Sequence, residues 1–171
     1  LIKSANTTSD AISISGNGGH GISFRGASTK IYATALLGGV TFTGTSSTWS
    51  TAIYSPLEVL AVSGPIRWLN SDSTSGIYSA NTSITLGSKS GVTGLTSSSS
   101  NVTIYLKRLE GSPTIAIGTS GSVAIQGVDG TGSFAQAFNS SAFGLNANSQ
   151  TMTGFVFGGT NNTEALTIDQ A

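Results

Sequence analysis

Alternation at period two is the feature that most restricts this chain, and it is densest from Asn101 to Gly127. There Val102/Ile104/Leu106, Ile115/Ile117 and Val123/Ile125 alternate with small or polar residues. Gly111-Ser112-Pro113 and Gly118-Thr119-Ser120-Gly121 separate the three runs. Such alternation marks a strand with one buried face, and Gly/Ser/Pro clusters mark sharp corners. Three strands and two corners in so short a stretch fit either one turn of a β-solenoid or a fragment of a β-sandwich. Recurrence decides between them.

Apolar-x-apolar pairs recur along the chain at Ile12/Ile14, Ile22/Phe24, Val40/Phe42, Leu60/Val62, Ile84/Leu86, Val102/Ile104, Val123/Ile125, Phe143/Leu145 and Leu166/Ile168. From Ile22 onward the intervals are 18, 20, 24, 18, 21, 20 and 23 residues. Leu57/Val59 is an equivalent choice to Leu60/Val62 on the opposite face. A second, less regular series lies between: Ile31/Ala33, Ile66/Trp68, Ile115/Ile117, Phe134/Phe138 and Phe155/Phe157. Sandwich strands recur every 8–12 residues with no higher period, whereas a longer period holding two or three strands indicates a stacked repeat. The expected fold is therefore all-β: a parallel β-helix, with coils of about 20 residues, formed by residues 1–171 as a single solenoid segment. A β-sandwich of pilin-like type is the alternative.

The segments between strands agree. Residues 14–19, 36–39, 63–65, 97–101, 118–121, 129–132 and 158–162 are rich in Gly, Ser and Asn and supply corners. Residues 45–52 and 140–150 are the least regular and are expected to leave the column as longer loops. Helical spacing with a capping box is absent.

Composition narrows the function classes. Charged residues make up 8% of the 171, with seven basic against seven acidic, so no electrostatic footprint for nucleic acid or an anionic membrane exists. Ser and Thr carry the surface instead. There is no cysteine, which excludes disulfides and Cys-based metal sites. The 23 glycines, 3 prolines and 37% hydrophobic content fit neither collagen nor disorder. No apolar run is long enough to cross a bilayer as a helix, so membrane insertion is not expected. The opening LIKSANTTSD has no targeting pattern and the chain stops within a repeat at EALTIDQA. It reads as a piece of a longer or processed polypeptide.

Motifs that carry chemistry elsewhere have plainer readings here. Gly16-Asn17-Gly18-Gly19-His20-Gly21 satisfies GxGxxG, but Ile22-Ser23-Phe24 after it alternates as a strand, whereas a dinucleotide site needs a helix there. His20, the sole histidine, is expected as an exposed turn residue. The carboxylates Asp10, Glu58, Asp72, Glu110, Asp129, Glu164 and Asp169 share no short motif. Glu110 and Asp129, 19 residues apart, are the pair a solenoid could stack, with Lys107 and Arg108 nearby. Asp129-Gly130-Thr131-Gly132 lacks the array that calcium nonapeptides require. Asn6, Asn81, Asn101, Asn139 and Asn161 head N-x-Ser/Thr triplets, which so Ser/Thr-rich a chain produces by chance. Thr41-Phe42-Thr43-Gly44-Thr45 would need repetition in every coil to bind ice. Trp49, Trp68, Tyr32, Tyr54, Tyr78 and Tyr105 are candidates for a sugar-stacking surface. Tyr32, Tyr78 and Tyr105 are out of phase with apolar neighbours and expected to face solvent, while Trp68 is in phase with Ile66 and expected in the core. No catalytic, cofactor-binding or metal-ligating residue is assigned, no cofactor is implied, and enzyme activity is not expected.

Coils such as SITLGSKSG (83–91), SPTIAIGTSGSVAIQG (112–127) and ALTIDQA (165–171), with the turn VSGPI (62–66), resemble the filamentous-haemagglutinin-like and autotransporter-type passengers of Gram-negative bacteria. The resemblance implies a right-handed β-helix within a large secreted or surface-tethered adhesin, and transfers no functional residue. The expected function is a structural and adhesive segment, extracellular, stacking on neighbouring coils or on copies of itself into a filament and touching host or matrix glycans. A polysaccharide-cleaving β-helix enzyme of lyase or tailspike type, and a strand-exchanging fibre subunit, are the alternatives.

Overall fold

A computed structural model describes residues 2–8, 11–25, 31–35, 38–46, 49–61, 64–70, 76–80, 83–87, 99–111, 114–128, 134, 138–139, 143–145 and 153–167. Almost none of these is helical. The chain winds as a parallel β-solenoid in which three short strands make one rung. The first rung is β1 (Ile2–Ser4), β2 (Ile12–Asn17) and β3 (Ile22–Phe24), and the second is β4 (Ile31–Ala35), β5 (Val40–Thr45) and β6 (Thr51–Ile53). The third is β7 (Leu57–Ala61), β8 (Ile66–Asn70) and β9 (Ile77–Ser79). The fourth is β10 (Ser83–Leu86), β11 (Val102–Tyr105) and β12 (Leu109–Gly111). Then follow β13 (Thr114–Ile117), β14 (Ser122–Gln126) and β15 (Phe138–Asn139), and last β16 (Phe143–Leu145), β17 (Gly154–Phe157) and β18 (Leu166–Thr167).

Each strand pairs with its counterpart one rung away. Sheet A runs β1-β4-β7-β10-β13-β16, sheet B β2-β5-β8-β11-β14-β17 and sheet C β3-β6-β9-β12, while β15 pairs β18. Every pairing among these strands is parallel. That excludes the sandwich alternative, whose sheets are antiparallel.

The register corrects the expected coil length. In sheet A, Ile31 lies on Leu57, Leu57 on Ile84, Ile84 on Ile115 and Ile115 on Phe143, steps of 26, 27, 31 and 28 residues. In sheet B the steps from Ile12 through Val40, Ile66, Val102 and Val123 to Phe155 are 28, 26, 36, 21 and 32. A coil is thus usually 26–32 residues rather than about 20. The physical reason is that three strands, not two, complete a turn. Four of the seven steps in the near-twenty series, such as β3 to β5 and β5 to β7, advance only two strands and change sheet. Val102 to Val123 alone joins true register partners.

The interior follows from the alternation. Val40, Phe42, Ile66, Trp68, Val102, Ile104, Val123 and Ile125 point inward from sheet B and are buried, facing Leu57, Val59, Ile84, Leu86, Ile115 and Ile117 of sheet A. No coil buries such a face alone, so stacking is what removes it from water. Phe24, Phe42 and Trp68 form an aromatic column up successive rungs, with centroids 5.4 and 5.5 Å apart. Trp68 belongs to the core as its phase requires, and its indole Nε1–H donates to Thr51 Oγ1 at 3.0 Å.

Hydroxyls and amides tie the corners between sheets A and B. Ser100 Oγ donates to the Ala61 carbonyl and Thr119 Oγ1 to the Ser100 carbonyl, both at 2.6 Å. Thr119 Oγ1 also accepts from the Gly121 N–H at 3.0 Å, and Asn101 Oδ1 accepts from the Ser122 N–H at 3.0 Å. Residues 45–52 do not form the expected loop throughout, because Thr51–Ile53 is a strand of sheet C; likewise Phe143–Leu145, within 140–150, is a strand of sheet A. Thr51 is fully buried and polar, satisfied by Trp68, so the apolar alternation that would announce its strand is missing.

Candidate functional site

The outer face of sheet C carries the most chemically distinctive group of side chains. The register Ile22–Thr51–Ile77–Leu109 points these residues inward, so their neighbours face out. Three outward lanes result. Gly21, Ser50, Gly76 and Arg108 stack in one; Ser23, Ala52, Tyr78 and Glu110 in the next; Arg25, Tyr54 and Ala80 in the third. Backbone bonds across the rungs fix these lanes: Ile22 N–H to Ser50 O, Ser50 N–H to Gly76 O and Ile77 N–H to Arg108 O, each 3.0 Å. On the far side Tyr54 N–H donates to Phe24 O at 2.9 Å and Ala80 N–H to Ile53 O at 3.0 Å.

A diagonal strip of cations and rings crosses these lanes. The Arg25 guanidinium carbon sits 4.4 Å from the Tyr54 ring centroid. Tyr54 and Tyr78 are 5.8 Å apart and Tyr78 and Trp49 are 5.4 Å apart, with planes tilted by 53° and 43°. Arg108 closes the other end at 4.6 Å from the Trp49 ring, and its Nη1 pairs with Glu110 Oε1 at 3.1 Å. Arg108 reaches Trp49 from two rungs away because Gly76, between them, has no side chain. A Cβ there would meet the Arg108 carbonyl and lie 2.6 Å from Arg108 Cγ. Ala52, completely buried although it points outward, lies in the lane under the rings.

The two arginines are held differently. Arg108 is half-buried, with a carboxylate against it. Arg25 is exposed; its Nε–H donates to Ser23 Oγ at 3.1 Å, and no carboxylate pairs with it among the described residues. A guanidinium over a ring face keeps its N–H edges for hydrogen bonding, and Arg25 uses one of them on Ser23.

Elsewhere the expected features separate. His20 is an exposed turn residue, and the glycine fingerprint leads into strand β3, with Gly21 at φ 51° shaping that turn. Glu110 sits beside Arg108 with Tyr78 as its rung neighbour, while Asp129 lies outside the described residues, as do Asp10, Asp72 and Asp169. Glu58 is on the outward side of β7 between Tyr32 and Thr85, yet only 4% exposed, beside the equally covered Leu60 and Thr34. Sheet A is therefore covered at these rungs and its carboxylate closed to large ligands. Glu164 is exposed near β18. Among the described residues no three His, Cys, Asp or Glu side chains gather for a metal ion, and no helix is long and apolar enough to cross a membrane. Thr41 and Thr43 neighbour Ser13 and Ser15 on one side and Arg67 and Leu69 on the other, so no threonine ladder forms.

Sequence reasoning named Trp49, Tyr54 and Tyr78 among the candidate sugar-stacking aromatics and Arg108 beside Glu110, but did not join the two groups and missed Arg25. Its one signal was phase: in Ile22-Ser23-Phe24-Arg25 the arginine falls on the outward side with Ser23. Which rungs these residues occupy was hidden by the misread coil length. No protein-family model matches the chain, and neither a curated protein nor a solved structure matches it.

Proposed function

We propose that the chain is a structural and adhesive solenoid segment of a secreted or cell-surface protein, which presents the outer face of sheet C to polysaccharide. The observation that carries this is the Arg25–Tyr54–Tyr78–Trp49–Arg108 strip, a run of cations and rings laid across successive rungs of one sheet. Tyrosine, tryptophan and arginine give large contact area at small entropic cost and concentrate binding energy at interfaces. The strip crosses several rungs and so suits an extended partner. The same ladder serves as scaffold, since parallel coils add to its open edges without changing its cross-section. At β17, the outermost described strand of sheet B, Phe155 on the inner face and Val156 on the outer face are 37% and 49% exposed, and the strand's edge suits a further coil or a second copy.

The test is adhesion without turnover. Beads coated with the chain should be retained on polysaccharide-coated surfaces, lose retention in Tyr54→Ala/Tyr78→Ala, and release no reducing ends on prolonged incubation. Release of reducing ends that Glu110→Gln abolishes would replace this reading with a polysaccharide-cleaving enzyme. Equal retention of the double variant would remove sheet C as the adhesive face.

A further inference from the structure

The geometry points to an acidic polysaccharide, one bearing uronate carboxylates, as the ligand of the sheet C strip, with Arg25 as the residue that reads its charge. The inference rests on the adhesive reading above and adds the chemistry of the partner. Arg25 is held from two sides: its guanidinium lies over Tyr54 at 4.4 Å and its Nε–H is fixed on Ser23 Oγ at 3.1 Å. Both restraints use the face and the inner edge of the fork. The two terminal nitrogens belong to an exposed residue and have no hydrogen bond or carboxylate partner among the described residues. A planar fork held in this way matches a carboxylate in two parallel hydrogen bonds, shorter and stronger than neutral ones.

The neighbours select a sugar as the carrier of that carboxylate. One face of Tyr54, 36% exposed, carries the guanidinium, which leaves the rest of that ring and the half-buried Tyr78, tilted 53° from it, as aromatic surface beside the fork. A pyranose can lay its C–H face on a ring while its C6 carboxylate enters the fork, and a neutral sugar would leave the fork unused. At the other end Arg108 is compensated by Glu110, so the strip is asymmetric: cationic at Arg25, neutral at Arg108. That suits one carboxylate at the Arg25 end, with the sugar rings of the same chain running on past it. A nucleic acid, which needs many phosphates neutralised together, is a poor match for a protein with seven basic and seven acidic residues.

Titration calorimetry of the intact chain with polygalacturonate, its fully methyl-esterified form and polyglutamate tests this. The chain should bind polygalacturonate, with an affinity that falls as salt rises, and bind the ester at least about tenfold more weakly. Arg25→Ala should lose about tenfold toward the acid polymer and leave the residual ester binding unchanged; Arg25→Lys, which keeps charge but not the flat fork, should fall between. Thr103→Ala, on the outer side of sheet B, should bind as the parent does, and unchanged circular dichroism should accompany every variant. Equal binding of acid and ester, or an unaffected Arg25→Ala, would overturn the carboxylate assignment while leaving an adhesive face in place. Tighter binding of polyglutamate than of polygalacturonate would overturn it in favour of an acidic protein partner. Binding of no polysaccharide at all would remove the adhesive reading together with it.

Discussion

Trp68 and Thr51 join two sheets through one buried hydrogen bond. The indole N–H has its acceptor 3.0 Å away, and both residues are shielded from water. Thr51→Val keeps the shape and removes the acceptor, leaving a buried donor unsatisfied, which costs about 1–3 kcal/mol. Chemical denaturation should show that loss as a lower midpoint with an unchanged slope; a midpoint equal to the parent's would mean that Nε1 finds another partner. Single residues were the most legible scale of this chain. The phase of Trp68 with Ile66 put it in the core from sequence, and the out-of-phase Tyr78 was placed on the outside. Thr51 was invisible because a buried threonine in a strand reads as a polar loop residue until its partner is known. Arg25 was missed for a related reason: its partners Tyr54 and Ser23 become neighbours only through the rung stacking and the two-residue alternation of β3.

At the scale of elements, the alternation gave strands and the Gly/Ser clusters gave corners, but neither says which strand stacks on which. Side-chain phase has period two, so it is blind to the distance between register partners. Apolar pairs from different sheets look alike, and a count that passes over one strand in three yields a spurious period near twenty. Thr103, at the middle of β11, has Arg67 on one side and Ala124 on the other. An interior strand needs its N–H groups, and proline removes one. Thr103→Pro should therefore destabilise by about 1–3 kcal/mol, the cost of leaving a buried ladder acceptor without its donor, read by thermal and urea unfolding. The same change at an edge or in an unpaired loop would cost far less, so a near-neutral Thr103→Pro would contradict the interior position of β11 in sheet B.

For the whole molecule, stacked rungs imply that stability is a sum of nearest-neighbour terms and that a complete coil can be removed without altering the rest. Leu57 is the register partner of Ile84, so excising residues 57–83 brings Ile84 onto Ile31 and keeps every remaining column in phase. That variant should retain a β-sheet circular dichroism spectrum and unfold cooperatively, at a lower midpoint than the parent. Removing only residues 57–76, the coil length the raw spacing implies, sets the remaining strands out of register and should leave an aggregating or unfolded chain.

The coil length itself is the central claim, and the absence of cysteine makes it directly measurable. Thr43 and Leu69 are register partners on the outer side of sheet B, 26 residues apart, so their side chains sit about one strand spacing (~4.8 Å) from each other. Cysteines introduced at both positions should be bridged rapidly by a short bifunctional thiol reagent such as dibromobimane. A pair at Thr85 and Tyr105, twenty residues apart but in sheets A and B, should react only singly at each site. Efficient bridging of Thr43→Cys/Leu69→Cys alone supports the three-strand coil; bridging of Thr85→Cys/Tyr105→Cys instead, or of neither, would contradict it.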